Sequence, residues 1–166
     1  MDAGRTWRGT QRQLLLLSVA LRERAVEPLV VAPPRSPLLE ACKRAGVATA
    51  ARTMRGPLDL IAIRGLRRLL GTWHPDIVHA HDPVSHAVAL AALVGRRRPI
   101  PLVVTRRLAT PPRGRAQHRR GVAQFIVITD AVRAALRSAG VPADCITLVH
   151  PGVEVPHVTT ARAWRS

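Results

Sequence analysis

A chain of 166 residues is long enough for one domain with a substantial core, and a hydrophobic content of 47% excludes a disordered polypeptide. The 26 basic residues against 10 acidic ones give a net charge of +16, a field that favours nucleotides, lipid phosphates or an anionic membrane surface as partners. Trp7, Trp73, Trp164 and Phe125 are the only Phe, Trp or Tyr residues, so nucleic acid, whose single-strand binders interleave cations with stacking rings, is not an expected partner.

Met1 to Gly9 has no strand character. Thr10 can cap a first helix from about Gln11 to Arg24, with Leu14, Leu17 and Leu21 on its inner face. The apolar run Leu14 to Leu21 follows Arg5, Arg8 and Arg12, as in a signal sequence. It is short, however, and Arg22-Glu23-Arg24 offers no small-residue cleavage site, so a buried helix is expected. Pro28 to Ala32 reads as a buried strand closed by Pro33-Pro34. Ser36-Pro37 opens a second helix that Gly46 ends, and Val47 to Ala51 is a weaker strand. Gly56-Pro57 opens a third helix, with Leu60, Ile63, Leu66 and Leu70 inward, and Gly71 stops it.

Pro75-Asp76-Ile77-Val78-His79-Ala80-His81-Asp82 reads as a buried strand with a polar exit. Asp82 caps the helix that follows, from about Pro83 to Val94. Leu102 to Thr105 is a strand ending in Arg106-Arg107, and Ala109 to Gly121 is a basic, Pro/Gly-rich loop. Gln124 to Ile128 is a strand, Thr129 caps a helix closed by Gly140, and Ile146 to Val149 is the last strand. His157 to Ser166 carries no pattern, so residues 1–155 form the domain and 156–166 a tail. Strands alternating with helices predict an α/β, doubly wound parallel sheet. Because the chain opens on a loop and a helix, that sheet is expected to lack a first strand or to be one strand short at its centre.

The polar residues that could carry chemistry fall at strand exits, where open α/β sheets bind ligands. His79 and His81, two apart on a strand, point the same way and could serve a metal, but the further ligands are scattered. His79 therefore reads as a satisfied structural histidine and His81 as a substrate contact. Asp82 is a helix cap first and a ligand contact second. Arg106 and Arg107 read equally as a solvated turn and as a clamp for phosphate or carboxylate. The loop Trp7-Arg8-Gly9-Thr10-Gln11-Arg12-Gln13 leads into a helix N-terminus, which suits an anion.

These segments, taken together, resemble the N-terminal half of family 4 glycosyltransferases of the GT-B fold. The segment Trp7 to Leu16 is similar to a W-x-G-G-x-x-x-Q loop and helix. Further matches are Val30-Val31-Ala32-Pro33, Pro75 to His81, Val103 to Arg107, Ile126 to Arg133 and Val149 to Glu154, in the family's order. The resemblance implies a Rossmann-like domain that holds the acceptor and faces a second domain across a cleft. It implies a retaining enzyme with a nucleotide sugar as co-substrate, a sugar or lipid-linked acceptor, and no cofactor or metal. By position it matches Gly9, Thr10 and Gln13 to the loop, with Gly9 and Thr10 at the donor phosphate, His81 to the catalytic histidine near the reacting sugar, and Arg106 and Arg107 to the acceptor side, where Gln13 and Asp82 are expected as further contacts.

The departures shape the remaining expectations. Thr10 stands where the family has a second glycine and adds a Cβ beside the phosphate. The four glutamates Glu23, Glu27, Glu40 and Glu154 do not form the donor-site pair. The chain is thus expected to be an acceptor-side half, inactive alone, that depends on a missing donor domain or a partner subunit. A non-catalytic sugar- or phosphate-binding module is the alternative, and a His-x-His metal hydrolase a weaker one. Two isolated cysteines and no membrane-length apolar run lead to an expected cytoplasmic location, peripheral at the inner membrane face.

Overall fold

The computed structural model describes residues 1–109 and 121–152. Its elements are α1 (Gly9–Arg22), β1 (Leu29–Ala32), α2 (Pro37–Arg44), β2 (Ala48–Ala51), α3 (Leu60–Trp73), β3 (Val78–Ala80), α4 (Pro83–Leu93), β4 (Leu102–Arg106), β5 (Gln124–Val127), α5 (Asp130–Ser138) and β6 (Ile146–Leu148). A 3-10 turn, Ala143–Cys145, leads into β6. This is the predicted alternation, and every strand pair is parallel. The expected loop from Ala109 to Gly121 and the tail after residue 155 fall largely or wholly outside the described residues.

The strands form two hydrogen-bonded sheets, β1-β2 and β3-β4-β5-β6. Between β1 and β3 lies the segment Met1–Ala3. Asp2 N donates to Val31 O at 3.0 Å, the Met1 amino group to His79 O at 2.6 Å, and His81 N to Met1 O at 3.1 Å. Residues that read as having no strand character therefore make ladder bonds on both sides. Composition does not reveal this, because the bonds come from backbone position over only a few residues. The stitch sits at the carboxyl ends of β1 and β3, which holds that edge of the molecule together.

Two apolar clusters underlie the two sheets. The larger joins Val78, Ala80, Leu102, Val104, Phe125 and Val127 of β3–β5 to Leu66, Leu70, Val88 and Leu136 of the helices. The smaller joins Leu14 of α1 to Val30, Ala32, Leu38, Leu39, Cys42 and Val47. Each large side chain fully removed from water adds about 1.5–3 kcal/mol. Burial raises the Cys42 thiol pKa to about 11, so this cysteine is held as an unreactive thiol.

Several element boundaries move for identifiable reasons. Helix α1 starts at Gly9, not Gln11, because Arg8 is the capping residue and its N–H is taken by Gln11 Oε1 at 3.1 Å; Thr10 lies inside the first turn. On its inner face Ser18, which donates to Leu14 O, takes the place expected for Leu17, which is exposed. Helix α3 starts after Asp59, whose carboxylate accepts from Ala62 N and Arg55 N at 3.0 Å each, so Gly56-Pro57 lies outside it. Gly71 does not stop this helix. It continues to Trp73 and ends at His74, which takes the left-handed conformation at φ 52°. Leu60 is exposed rather than inward, and Ala62, Leu66 and Leu70 form the buried stripe.

Candidate functional site: a cleft at the carboxyl edge of the sheet

Strand β3 delivers His79 and, one residue past its end, His81. Their rings stack with centroids 4.0 Å apart and planes tilted by 34°. His79 Nε2 lies 2.8 Å from Thr105 Oγ1 on β4, so this nitrogen is engaged within the fold. Burial lowers the His79 pKa to about 4, helped by the Met1 ammonium and the Arg107 guanidinium. Burial also takes His81 well below the ordinary histidine value, with the Met1 ammonium, His79 and Arg107 adding to it. Both imidazoles are therefore neutral near pH 7, each with one N–H and one lone pair. Among the described residues no group of three or more His, Cys, Asp or Glu side chains is placed to hold a metal ion.

Asp82 fixes the start of α4. Its Oδ1 accepts from Val84 N at 2.9 Å and Ser85 N at 3.0 Å, and its Oδ2 accepts from Ala3 N at 2.8 Å. Pro83 occupies the first helical position, where its missing N–H does no harm. The carboxylate is thus occupied by backbone on both sides and ties the Met1–Ala3 stitch to the helix.

Arg106 ends β4 and Arg107 follows it. Arg107 Nη1 donates to His81 O at 3.2 Å, which joins the two strand exits. Both guanidiniums are partly buried, and burial lowers their pKa values. Arginine stays charged even so, which leaves two partly desolvated cations at one sheet edge.

His81, Asp82, Arg106 and Arg107 line a cleft of about 520 Å³, which His79 does not reach. Of the residues predicted for the site, Thr10, His81, Asp82, Arg106 and Arg107 are brought together along its walls, with Arg8 and Thr105 beside them. Gly9 and Gln13 are not. Gly9 opens α1 between the lining residues Arg8 and Thr10 without lining the cleft itself, and Gln13 donates through Nε2 to Gly152 O. Sequence reading missed Asp2. This carboxylate is 1% exposed, and its Oδ1 accepts from Gly4 N and from Gln11 Nε2, both at 2.8 Å. A Cβ on residue 4 would meet Gln11 Nε2 and Asp2 Oδ1, so a larger residue there would have to displace the side-chain ends that form the clasp. The signal present in the sequence was Asp2-Ala3-Gly4, an aspartate two before a glycine, which favours a side-chain-to-backbone turn.

The model of the family described as Glycosyltransferase Family 4 matches residues 7–156. The chain belongs to that family. Solved structures of glycosyltransferases share its fold. HepE of Anabaena in complex with UDP-glucose superposes with a TM-score of 0.73 at 18% identity, over 92% of this chain and 43% of that one. A glycosyltransferase from Rickettsia africae gives 0.73 at 13% identity, over 92% and 42%. The lipopolysaccharide outer core galactosyltransferase WaaB, in its apo form, gives 0.70 at 14% identity, over 95% and 46%. This family 4 chain thus spans under half the length of the structures it matches, and at these identities the likeness is one of fold: a Rossmann-like α/β domain corresponding to one part of a GT-B protein. No match was found among curated proteins.

Proposed function

We propose that the cleft is the acceptor side of a glycosyltransferase that moves a hexosyl group from a nucleotide sugar to a sugar or lipid-linked acceptor. The supporting observation is that Thr10, His81, Arg106 and Arg107, from three separate segments, line one cleft at the sheet's carboxyl edge. In this reading neutral His81 faces the reacting sugar and offers a hydrogen bond without competing for charge. The first turn of α1, with N–H groups lacking intrahelical partners and the positive end of its dipole, approaches the donor diphosphate at Thr10. Arg106 and Arg107 hold an anionic group of the acceptor. HepE is titled as bound to UDP and to UDP-glucose, which favours a nucleotide-sugar donor here. No cofactor or metal takes part, and stabilising the donor's leaving diphosphate needs a donor-side domain or partner subunit in addition to the α1 turn, so transfer by this acceptor side alone is negligible.

A peripheral contact with an anionic membrane belongs to the same reading. Leu58 and Ile61 are 85% and 80% exposed at the start of α3, beside exposed Arg55 and Arg64. Helix α3 follows a parallel strand, so its start lies at the carboxyl edge of the fold, as the cleft does. Apolar side chains amid cations suit an anionic lipid surface from which a lipid-linked acceptor would be drawn, at the inner face of the cytoplasmic membrane. Among the described residues no helix is long and apolar enough to cross a membrane.

Two measurements test the reading. Titration with inorganic pyrophosphate, standing in for the anionic groups, should give saturable binding that Arg106→Gln with Arg107→Gln weakens about tenfold, the size of one or two charge-assisted hydrogen bonds. Release of nucleoside diphosphate from nucleotide sugars by the chain alone should stay at background. Turnover by the isolated chain would overturn the assignment as an acceptor-side half, and pyrophosphate binding indifferent to both arginines would overturn the clamp.

A further inference from the structure

Asp2 Oδ2 and His81 Nδ1 are buried atoms that carry no hydrogen bond among the described residues, and both side chains line the cleft. Asp2 is 1% exposed and His81 7% exposed. Leaving such atoms unpaired costs about 1–3 kcal/mol each, and a native fold that tolerates two of them side by side calls for an occupant. That they are neighbours follows from the ladder. Met1 N bonds to His79 O and His81 N to Met1 O, which is the alternation of a parallel pair and sets Asp2 level with His81. Level residues in a parallel pair project from the same face.

We propose that Asp2 and His81 read one hydroxyl of an uncharged sugar ring in the cleft: the hydroxyl donates to Asp2 Oδ2 and accepts from the Nδ1 hydrogen of His81. This rests on the glycosyltransferase reading above and deepens it, adding a recognition residue and the chemical class of group it takes. A hydroxyl fits because it both donates and accepts, as a carboxylate acceptor beside an imidazole N–H demands. A phosphate oxygen does not fit, since it would face a carboxylate with nothing to donate. The aim of Oδ2 is fixed because Oδ1 is held by Gly4 N and Gln11 Nε2. The neutrality of His81, imposed by burial and surrounding cations, suits an uncharged partner. Anions are left to Arg106 and Arg107, so a single cleft would sort its ligand into a hydroxyl end and an anionic end.

The test is ligand-observed NMR on the chain with D-glucose, its monodeoxy analogues and, separately, inorganic pyrophosphate. Asp2→Asn keeps an oxygen for Gly4 and Gln11 and changes the atom facing the cleft from acceptor to donor. The expected result is that Asp2→Asn weakens glucose binding about tenfold or more, the size of one hydrogen bond to a charged group. It should leave pyrophosphate binding unchanged or tighter, since a negative charge near Arg107 is gone. One monodeoxy sugar should bind the unaltered chain as weakly as glucose binds Asp2→Asn, and should bind the variant no worse than glucose does. That comparison on the unaltered chain stands even if the variant does not fold. Equal glucose binding to both proteins, or equal binding of every deoxy sugar by the unaltered chain, overturns the proposal. Pyrophosphate binding without any hexose binding overturns it while leaving the acceptor-side reading in place; absence of both overturns both.

Discussion

Acidification should destabilise this protein through its two stacked histidines as pH falls below 6.5. His79 has a folded-state pKa of about 4 against 6.5 for an ordinary histidine, first because it is buried and then because the Met1 ammonium and Arg107 lie near. A base whose folded pKa is depressed favours the unfolded chain when it takes up a proton. Its stabilising contribution is therefore complete above pH 6.5 and is lost as pH falls toward 4. At about pH 5 the unfolded imidazole is almost fully protonated while the folded one is still about nine-tenths neutral, a loss of roughly 2 kcal/mol from this residue. His81 shifts in the same direction and adds to the loss. The Met1 ammonium, lowered from 8.0 to about 6 by burial, gives its own slope between those values, so the slope below about pH 6 is the histidines' own. Urea unfolding followed by tryptophan fluorescence across this range measures the slope, and the NMR titration of the His79 Cε1 proton measures its cause. The His79→Gln variant, which can still reach the Thr105 hydroxyl, should flatten the slope. A His79 resonance that titrates near 6.5, or an unfolding free energy that stays level from neutral pH to about pH 5, would refute the reasoning.

Three further outcomes are expected. Phe125 is fully buried on β5 in the larger cluster, so Phe125→Ala should cost about 3–5 kcal/mol in chemical unfolding. Asp82→Ala removes the α4 cap and the bond to Ala3 together, so a loss of about 1–2 kcal/mol from the cap alone is a lower bound, seen as a drop in the unfolding midpoint. Leu58→Asn with Ile61→Asn, both at exposed sites, should leave thermal unfolding unchanged and lower retention on phosphatidylglycerol-containing vesicles at least about tenfold, since each side chain contributes about 1.5–3 kcal/mol when taken out of water. Vesicle binding that the pair does not alter would mean that only bulk charge holds the protein to the surface.

What could be read from the sequence was whatever local chemistry decides. The strands at Leu29–Ala32, Leu102–Arg106 and Gln124–Val127 are apolar runs between breakers, and the caps Ser36, Asp82 and Thr129 bond where their residue types predict. The helix starts that moved did so where a side chain other than the expected one supplied the cap: Gln11, which accepts from Arg8 N, and Asp59, the residue immediately ahead of Leu60. At the cleft, residues near strand exits, His81, Asp82, Arg106 and Arg107, could be placed because a parallel sheet brings its carboxyl ends together. Asp2 could not. Its position depends on Val31 and His79 holding a three-residue segment between two strands, a long-range pairing with no periodicity to announce it. The same stitch explains why the cleft is built as it is. Asp82 and Asp2 both contact the Met1–Gly4 backbone: Asp82 accepts from Ala3 N and from Val84 N and Ser85 N of α4, and Asp2 accepts from Gly4 N and from the Gln11 side chain of α1. Two aspartates at one sheet edge thus hold the first residues of the chain against both the β3 exit and the first turn of α1, and that double clasp sets the wall of the cleft.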